Sequence, residues 1–370
     1  MVWTIRKRDI PFFAMGAQFL GSGGGGDPFT MQHLAQSVMS DTQEIVIRSF
    51  QELSMEERVV AIGTMGSSAV CDEKMSTGDE GLDVLQRYEE VTGQTVDLIV
   101  TENIGGANAL IPFIVAAQRN LSILDGDGMG RTFPEIHMTS FHVMGVQGAP
   151  LVMVNQHRRF HVLEDEDTLR LSEQARQQVQ AMGGIVYTAC YGMAGREART
   201  ATIPNTMQLI YELGRLFYNR QDLASCLEQM HVCLANSVYG TPRRLIQGKI
   251  HSIRRWFVNG SIEGRFEILG TEQWDGQIIE IHFGNEYLAA KRGDQYLCLT
   301  PDLLLVLDEE NLSPCLVDKL QEGLPVSVFA IPAPNLLRTR DMLQHVGPRA
   351  MGIPADYMPT ELLAMEANGE

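Results

Sequence analysis

The first 240 residues alternate short apolar runs with longer amphipathic ones. EIVIRSF (44–50), RVVAIGTMGSS (58–68), DLIVTENIGG (97–106) and LSILDGDGMG (121–130) read as strands, each closing on a polar or glycine-bearing turn. Between them DEGLDVLQRYEEVT (79–92) and ANALIPFIVAAQRN (107–120) read as helices, the second apolar almost all round. A segment near 30–40 and TLRLSEQARQQVQAMGG (168–184), which stops on glycine, also read as helices. VMGVQGAPLVMVNQ (143–156) supplies one or two more strands, and IVYTACYGM another, with helices after it. Runs such as DLIV and LSIL do not alternate, which is how strands buried on both faces read. The predicted fold class is α/β, a largely parallel sheet covered by helices.

The pattern changes after about residue 245. GKIHSIRRWFVNGSIEGRFEILG, QIIEIHFGNEYLAAKRGDQYLCLTPDLLLVLDE and GLPVSVFAIPA are strand-like, with NG, DG and GN turn signals. This predicts an α/β domain over 1–244 that carries the glycine-rich turns, and a smaller all-β domain over 245–333. Residues 334–370 form a Pro/Gly-rich tail expected to return to the first domain, with Arg349, Asp356 and Tyr357 stitching the domains together.

Composition narrows the partners. The 370 residues are 44% hydrophobic, enough for a sizeable core, and carry a net charge of −17. That charge argues against non-specific binding to nucleic acid or to an anionic membrane. No run approaches the roughly 18 apolar residues of a membrane span, so the protein is expected to be soluble and cytoplasmic. Six scattered cysteines without a CxxC pair read as reduced thiols. None of the nine histidines shows zinc-binding spacing. A homo-oligomer is the base-rate expectation for an acidic two-domain enzyme.

Ligands of open α/β sheets bind beyond the carboxyl ends of the strands. Four such ends carry glycine-rich polar turns: GSGGGGDP (21–28), GTMGSS, TENIGGAN and DGDGMGRTFPE. Four consecutive glycines imply a backbone that something must approach closely. Gly23, Gly24, Gly25 and Gly26 are therefore expected to present N–H groups to a ligand, with Asp27 and Pro28 opening the next helix. The run is not a GxxxxGK[ST] loop, and its GxGxxG match lacks the acidic partner, so no nucleotide cofactor is expected. In DGDGMGRTFPEIHM (125–138), Asp125 and Asp127 fall on one side of a strand. There they serve as a general base or hold one divalent metal, with Glu135 close by. Arg131 is either a bidentate clamp for a substrate carboxylate or the counter-ion of the acidic pair. Lys74, in CDEKMSTGDE, is placed to bind an anionic group, and Glu73 before it is expected, with Glu135, to assist the aspartates in catalysis. Gly105, Gly106 and Asn108 shape the next turn, where Asn108 also reads as a helix cap. No GxSxG elbow is present, and Cys71 and Cys190 read as inert thiols rather than nucleophiles.

Taken together, DIPFFAMGAQFLGSGGGGDP, DEKMSTGDE, ENIGGANAL, LDGDGMGRTFPE, FGNEYLAA, PDLLLVLD and VGPRAMGIPADYMP resemble the S-methyl thiohydantoin desulfurase family, found near hydantoinase and oxoprolinase genes. The resemblance runs through nearly the whole chain in order. It implies an α/β domain followed by a smaller β-rich one. It also implies hydrolytic removal of sulfur from C2 of a thiohydantoin or S-methyl thiohydantoin, leaving a hydantoin. It matches Gly23–Asp27, Glu73, Lys74, Gly105, Gly106, Asn108, Asp125, Asp127 and Arg131. In the family a carboxylate usually precedes the IGG directly; here Asn103 does, with Glu102 one place earlier, and glutamine is common where His137 and Gly284 stand. Asn285 and Glu286 in FGNEYLAA read as a hairpin turn or a site contact. The alternative is a small-molecule-binding or accessory protein that works beside a hydantoinase or oxoprolinase without chemistry of its own. An ATP-dependent ring opener is a third reading, and the missing Walker motif counts against it.

Overall fold

The computed structural model describes residues 3–67, 70, 74, 76–219, 222–258 and 261–363. Nine strands form the first sheet: β1 (Trp3–Arg6), β2 (Glu44–Arg48), β3 (Arg58–Gly66), β4 (Leu98–Thr101), β5 (Ser122–Asp127), β6 (Leu151–Val154), β7 (Phe160–Leu163), β8 (Ile185–Ala194) and β9 (Ile203–Pro204). Their order is β1-β2-β5-β4-β3-β8-β6-β7, with β9 paired to β5. β2, β5, β4 and β3 are mutually parallel. This is the core that the non-alternating runs predict, and β4 is buried along its whole length. Antiparallel strands extend it on both flanks.

The longer helices are α1 (Ile10–Leu20), α2 (Phe29–Val38), α3 (Glu80–Thr92), α4 (Ile111–Arg119), α5 (Ser140–Val143), α6 (Thr168–Ala181), α7 (Gly195–Ala201), α8 (Thr206–Tyr218), α9 (Leu223–Ala235) and α10 (Arg340–Val346). α1–α4, α8 and α9 share one apolar core, whereas α5–α7 share a second with the other face of the sheet. Each helix sits where local chemistry starts it. Pro112 occupies the first turn of α4, and the Asp167 carboxylate caps α6 by accepting from the N–H groups of Leu169 and Arg170 at 2.9 and 3.2 Å.

α1 crosses α8 at a pair of glycines. A Cβ on Gly16 would lie 1.7 Å from the Ile210 carbonyl oxygen, and one on Gly214 would lie 1.7 Å from that of Phe12. The two backbones therefore touch, and Gly16→Ala is expected to cost about 3 kcal/mol or more in urea unfolding, because neither backbone can withdraw.

The second sheet has eight antiparallel strands: β10 (Arg243–Val258), β11 (Ser261–Gly270), β12 (Ile278–Phe283), β13 (Tyr287–Arg292), β14 (Gln295–Leu299), β15 (Leu303–Asp308), β16 (Ser313–Pro314) and β17 (Pro325–Ile331). It has its own core. The segment beyond it binds both parts of the molecule. Tyr357 Oη donates to Asp302 at 3.0 Å and the Thr360 N–H donates to the same carboxylate at 2.8 Å, while His345 of α10 meets His137 and His142 of the first domain. Arg349 pairs with Asp356 at the surface. Among the described residues, no helix is long and apolar enough to cross a membrane.

Candidate active site at the carboxyl ends of the parallel strands

β3, β4 and β5 are parallel and end at one edge of the sheet. At the end of β5, Asp127 is fully buried. Its Oδ2 accepts three backbone N–H groups: Gly130 at 2.7 Å, Met129 at 2.9 Å and Ile104 at 3.2 Å. The Thr206 hydroxyl lies close enough to favour the charged carboxylate. Even so, neither that oxygen nor Asp127 Oδ1 completes a hydrogen bond among the described residues. Burial outweighs these donors and pushes the Asp127 carboxyl up to about 7. Asp125, two residues back along the strand, accepts from the N–H of Gln208 at 3.1 Å in the first turn of α8, and burial lifts it to about 6. The two aspartates thus share the α8 side of the strand, as their spacing predicts. Burial, rather than repulsion between them, raises both.

The glycine-rich turn packs against the IGG turn that follows β4 and against the second sheet, and the chain itself makes the close approach. A Cβ on Gly24 would meet Glu286 Cγ at 2.5 Å, and one on Gly25 would meet the Gly105 carbonyl oxygen at 2.6 Å. Gly25 also has φ +82°, which side chains disfavour. Its carbonyl accepts from the N–H of Ala107 at 2.9 Å. The carbonyls of Ser22 and Gly23 accept from the N–H groups of Tyr287 (2.7 Å) and Val317 (2.9 Å) in the second domain. The turn is therefore wedged between the IGG turn and the second sheet. Gly25 and Gly26 stay half-buried at its outer side. Among the described residues, the N–H groups of Gly25, Gly26 and Gly106 donate to no backbone acceptor.

Residues read as neutral or doubtful in the sequence complete the nest. Asn103 Oδ1 accepts from the N–H of Gly105 (2.7 Å) and from the Thr132 hydroxyl (3.4 Å). Glu102 is buried, and its Oε1 accepts from Thr188 Oγ1 at 2.9 Å and from the Cys190 thiol at 3.3 Å. Burial raises the Glu102 carboxyl and, with that carboxylate beside it, holds Cys190 far from its thiolate form. Glu286, behind Gly24, is pushed up to about 7 by burial, with Arg131 opposing. In the sequence it read as a hairpin turn or a site contact; here it packs behind Gly24. A strand ending T-E-N beside a conspicuous glycine pair was the only local signal for Glu102 and Asn103.

Several expected contacts take other places. Arg131 is fully buried, and its guanidinium donates to the carbonyls of Tyr287 (2.9 Å), Asp302 (3.0 Å) and Pro301 (3.4 Å). A fork already filled by three carbonyls of the second domain has no room for a substrate carboxylate, so Arg131 ties the domains together. Glu135 turns away to α6, accepting from Ser172 Oγ at 2.8 Å and pairing with Arg176. Asn108 grips the edge of β3, where its Oδ1 accepts from Thr64 N at 2.6 Å and Thr64 Oγ1 at 2.8 Å. Asp27 accepts from Phe29 N at 3.0 Å and pairs with Lys319. Lys74 donates to the Gly183 carbonyl and lines a cleft of about 390 Å³ with His157, Arg159 and Gln178. That cleft lies at the same sheet edge, three strand positions from Asp127, or about 15 Å at the usual strand spacing. Glu73 and Cys71 lie outside the described residues.

Two family models match the chain end to end: the S-Me-THD-like N-terminal domain over residues 8–165 and the S-Me-THD-like C-terminal domain over 166–360. The chain belongs to the S-Me-THD-like family. This agrees with the motifs that run through its sequence. The two S-Me-THD-like segments meet inside the first sheet, so β8 and β9 come from the C-terminal one. No curated protein matches the chain. Among solved structures, the crystal structure of a protein from Chromobacterium violaceum is similar at a TM-score of 0.80 and 19% identity, covering 97% of this chain and 100% of that one. That likeness concerns the fold.

The candidate site does not fit the divalent metal considered for Asp125 and Asp127: among the described residues, no three His, Cys, Asp or Glu side chains are placed to hold one. Three N–H donors converge on Asp127 Oδ2 and another on Asp125. These donors take up Asp127 Oδ2 and Asp125 Oδ1, whereas a hard cation seeks about six oxygen ligands.

Proposed function

We propose that this protein hydrolyses a thiohydantoin or an S-methyl thiohydantoin, adding water at C2 and releasing sulfide or thiol. One observation carries the reading. A carboxyl held at about 7 accepts from the N–H of Ile104, and the Gly105–Gly106 turn that follows Ile104 packs against the half-buried Gly25. A base that titrates near the working pH is the group such a reaction needs.

In this reading Asp127 Oδ1 takes a proton from the attacking water as its oxygen bonds to C2. Charge that builds on the ring is received by the unpaired N–H groups of Gly25, Gly26 and Gly106. The C2–S bond then breaks, the proton held by Asp127 passes to the departing sulfur, and the hydroxyl proton left at C2 goes to the ring nitrogen for the S-methyl substrate or to sulfur for the thione. For the S-methyl substrate the products are hydantoin and methanethiol; for the thione they are hydantoin and hydrogen sulfide. Burial holds Glu102 and Glu286 toward their neutral forms beside the glycine turn. Arg131 and the glycine wedge hold the site between the domains.

The cleft at Lys74 supports the second reading, a protein that binds an anionic small molecule without converting it. Incubating the purified chain with S-methyl thiohydantoin and with thiohydantoin, and following thiol or sulfide with a thiol-reactive dye, separates the two. Turnover with matching hydantoin formation is expected. Micromolar binding without release of sulfur would favour the second reading.

A further inference from the structure

The cleft between the β6–β7 turn and the carboxyl end of α6 carries side chains of one charge. Lys74, His157 and Arg159 line it, Phe160, Ala181 and Met182 supply its apolar lining, and no carboxylate among the described residues does so. The whole chain, by contrast, carries a net charge of −17. The turn is built to present these cations. Buried Asn155 holds it: its Oδ1 accepts from the N–H groups of His157 at 3.0 Å and Arg159 at 3.1 Å, and its Nδ2 donates to the Met182 carbonyl at 2.9 Å. Arg158, between them at φ +55°, leaves the lining and donates to Asp83 at 2.6 Å. The Arg159 guanidinium has no hydrogen-bond or ion-pair partner among the described residues. Across the cleft, the negative end of α6 is already neutralised. The carbonyls of Gln178, Val179 and Gln180 accept from the N–H groups of Met182, Gly184 and Gly183, and that of Gly183 accepts from Lys74. Glu80 lines a small pocket that shares Lys74 and Gln156 with the cleft. Its carboxylate is taken up by Ser76 Oγ (2.6 Å) and the N–H groups of Thr77 (2.9 Å) and Gly78 (3.0 Å).

We propose that this cleft binds a small organic dicarboxylate. Cations from two separate segments match two carboxylates. The planar Arg159 guanidinium donates to one through parallel N–H groups, and the Lys74 ammonium, with donors beyond the one given to Gly183, meets the other. The same surroundings decide against inorganic phosphate. Phosphate sites draw on free backbone N–H groups, above all at a helix N-terminus. Here the helix presents its carboxyl end, and the N–H groups of His157, Arg158 and Arg159 are all spent on Asn155. A cleft of about 390 Å³ is roomier than a bare oxyanion needs and falls in the range of small-molecule sites. Phe160, 44% exposed, offers its ring to the carbon skeleton of such a ligand. This inference deepens the reading of the cleft as an anion site by naming the ligand's class, and it stands apart from the chemistry at Asp127.

Titrating the purified full chain with succinate, acetate and inorganic phosphate tests it, by calorimetry and by saturation-transfer NMR. Saturable binding of one succinate per chain is expected, with acetate and phosphate weaker by about 10-fold or more. Arg159→Gln and Lys74→Gln are each expected to weaken succinate by about 10-fold or more. Arg349→Gln removes the same charge from the surface pair with Asp356 and is expected to leave binding unchanged. Asp127→Asn is also expected to bind succinate as the wild type does, so loss of turnover and loss of cleft binding are read separately. Far-UV circular dichroism checks that each variant is folded. No saturable succinate binding in the wild type up to about 10 mM would overturn the proposal. So would phosphate binding as tightly as succinate, or succinate binding that survives in the folded Lys74→Gln/Arg159→Gln variant.

Discussion

Replacing Asp127 with asparagine is expected to lower turnover of the thiohydantoin substrate by about 10²–10⁴-fold, the usual contribution of a positioned general base. Substrate affinity should stay within a few-fold. The amide oxygen can still accept from Ile104, Met129 and Gly130, so the turn keeps its anchor. The lost function is proton acceptance by Oδ1. The wild-type rate should climb as pH rises through about 7, and that limb should vanish in the variant. Stability carries the opposite slope. A carboxyl at about 7 in the fold, against an ordinary 3.8, keeps its proton between those pH values while the unfolded chain has released it. The folded state then binds more protons, so stability falls as pH rises across that window. Asp127→Asn removes this contribution, and the gap in melting temperature between pH 6 and pH 8 should narrow. A rate loss without the change in pH profile would point to a structural role alone.

Arg131→Met is expected to be the most damaging single change in the polar nest, costing about 3–5 kcal/mol in chemical denaturation. Methionine fills much of the volume. It leaves the carbonyls of Tyr287, Pro301 and Asp302 without their donor, and it deprives Glu286 of the one cation that lowers its carboxyl. Arg131→Lys should recover only part of the loss, because a single ammonium cannot reach three carbonyls as the planar fork does. If instead Arg131 gripped substrate, the methionine variant would keep its stability and lose affinity.

Much of this molecule was legible in its sequence, for identifiable reasons. The runs at 97–101 and 121–125 do not alternate, and they became the parallel centre of the sheet. Glycine density at 21–26 and 105–106 signalled that something approaches the backbone closely. Gly25 meets the Gly105 carbonyl of the same domain, and Gly24 meets Glu286 of the second, and no local pattern carries the identity of a partner 260 residues away. Arg131 shows the same limit from the other side. A lone arginine after an acidic strand end reads equally as a substrate clamp and as an internal tie, and only the carbonyls of residues 287, 301 and 302 decide between them. Glu135 and Lys74 are polar residues in the right loops that face helix α6 and the β6–β7 turn instead. The convergence of His137, His142 and His345 has no sequence spacing to reveal it, since its third member lies 203 positions after its second.

The direct test of the chemistry is to run the reaction in ¹⁸O-labelled water with S-methyl thiohydantoin and to analyse the products by mass spectrometry. One ¹⁸O atom at the C2 carbonyl of the hydantoin, with one equivalent of methanethiol released, is the expected result. Unlabelled hydantoin, or substrate returned intact with no thiol, would contradict water addition at C2.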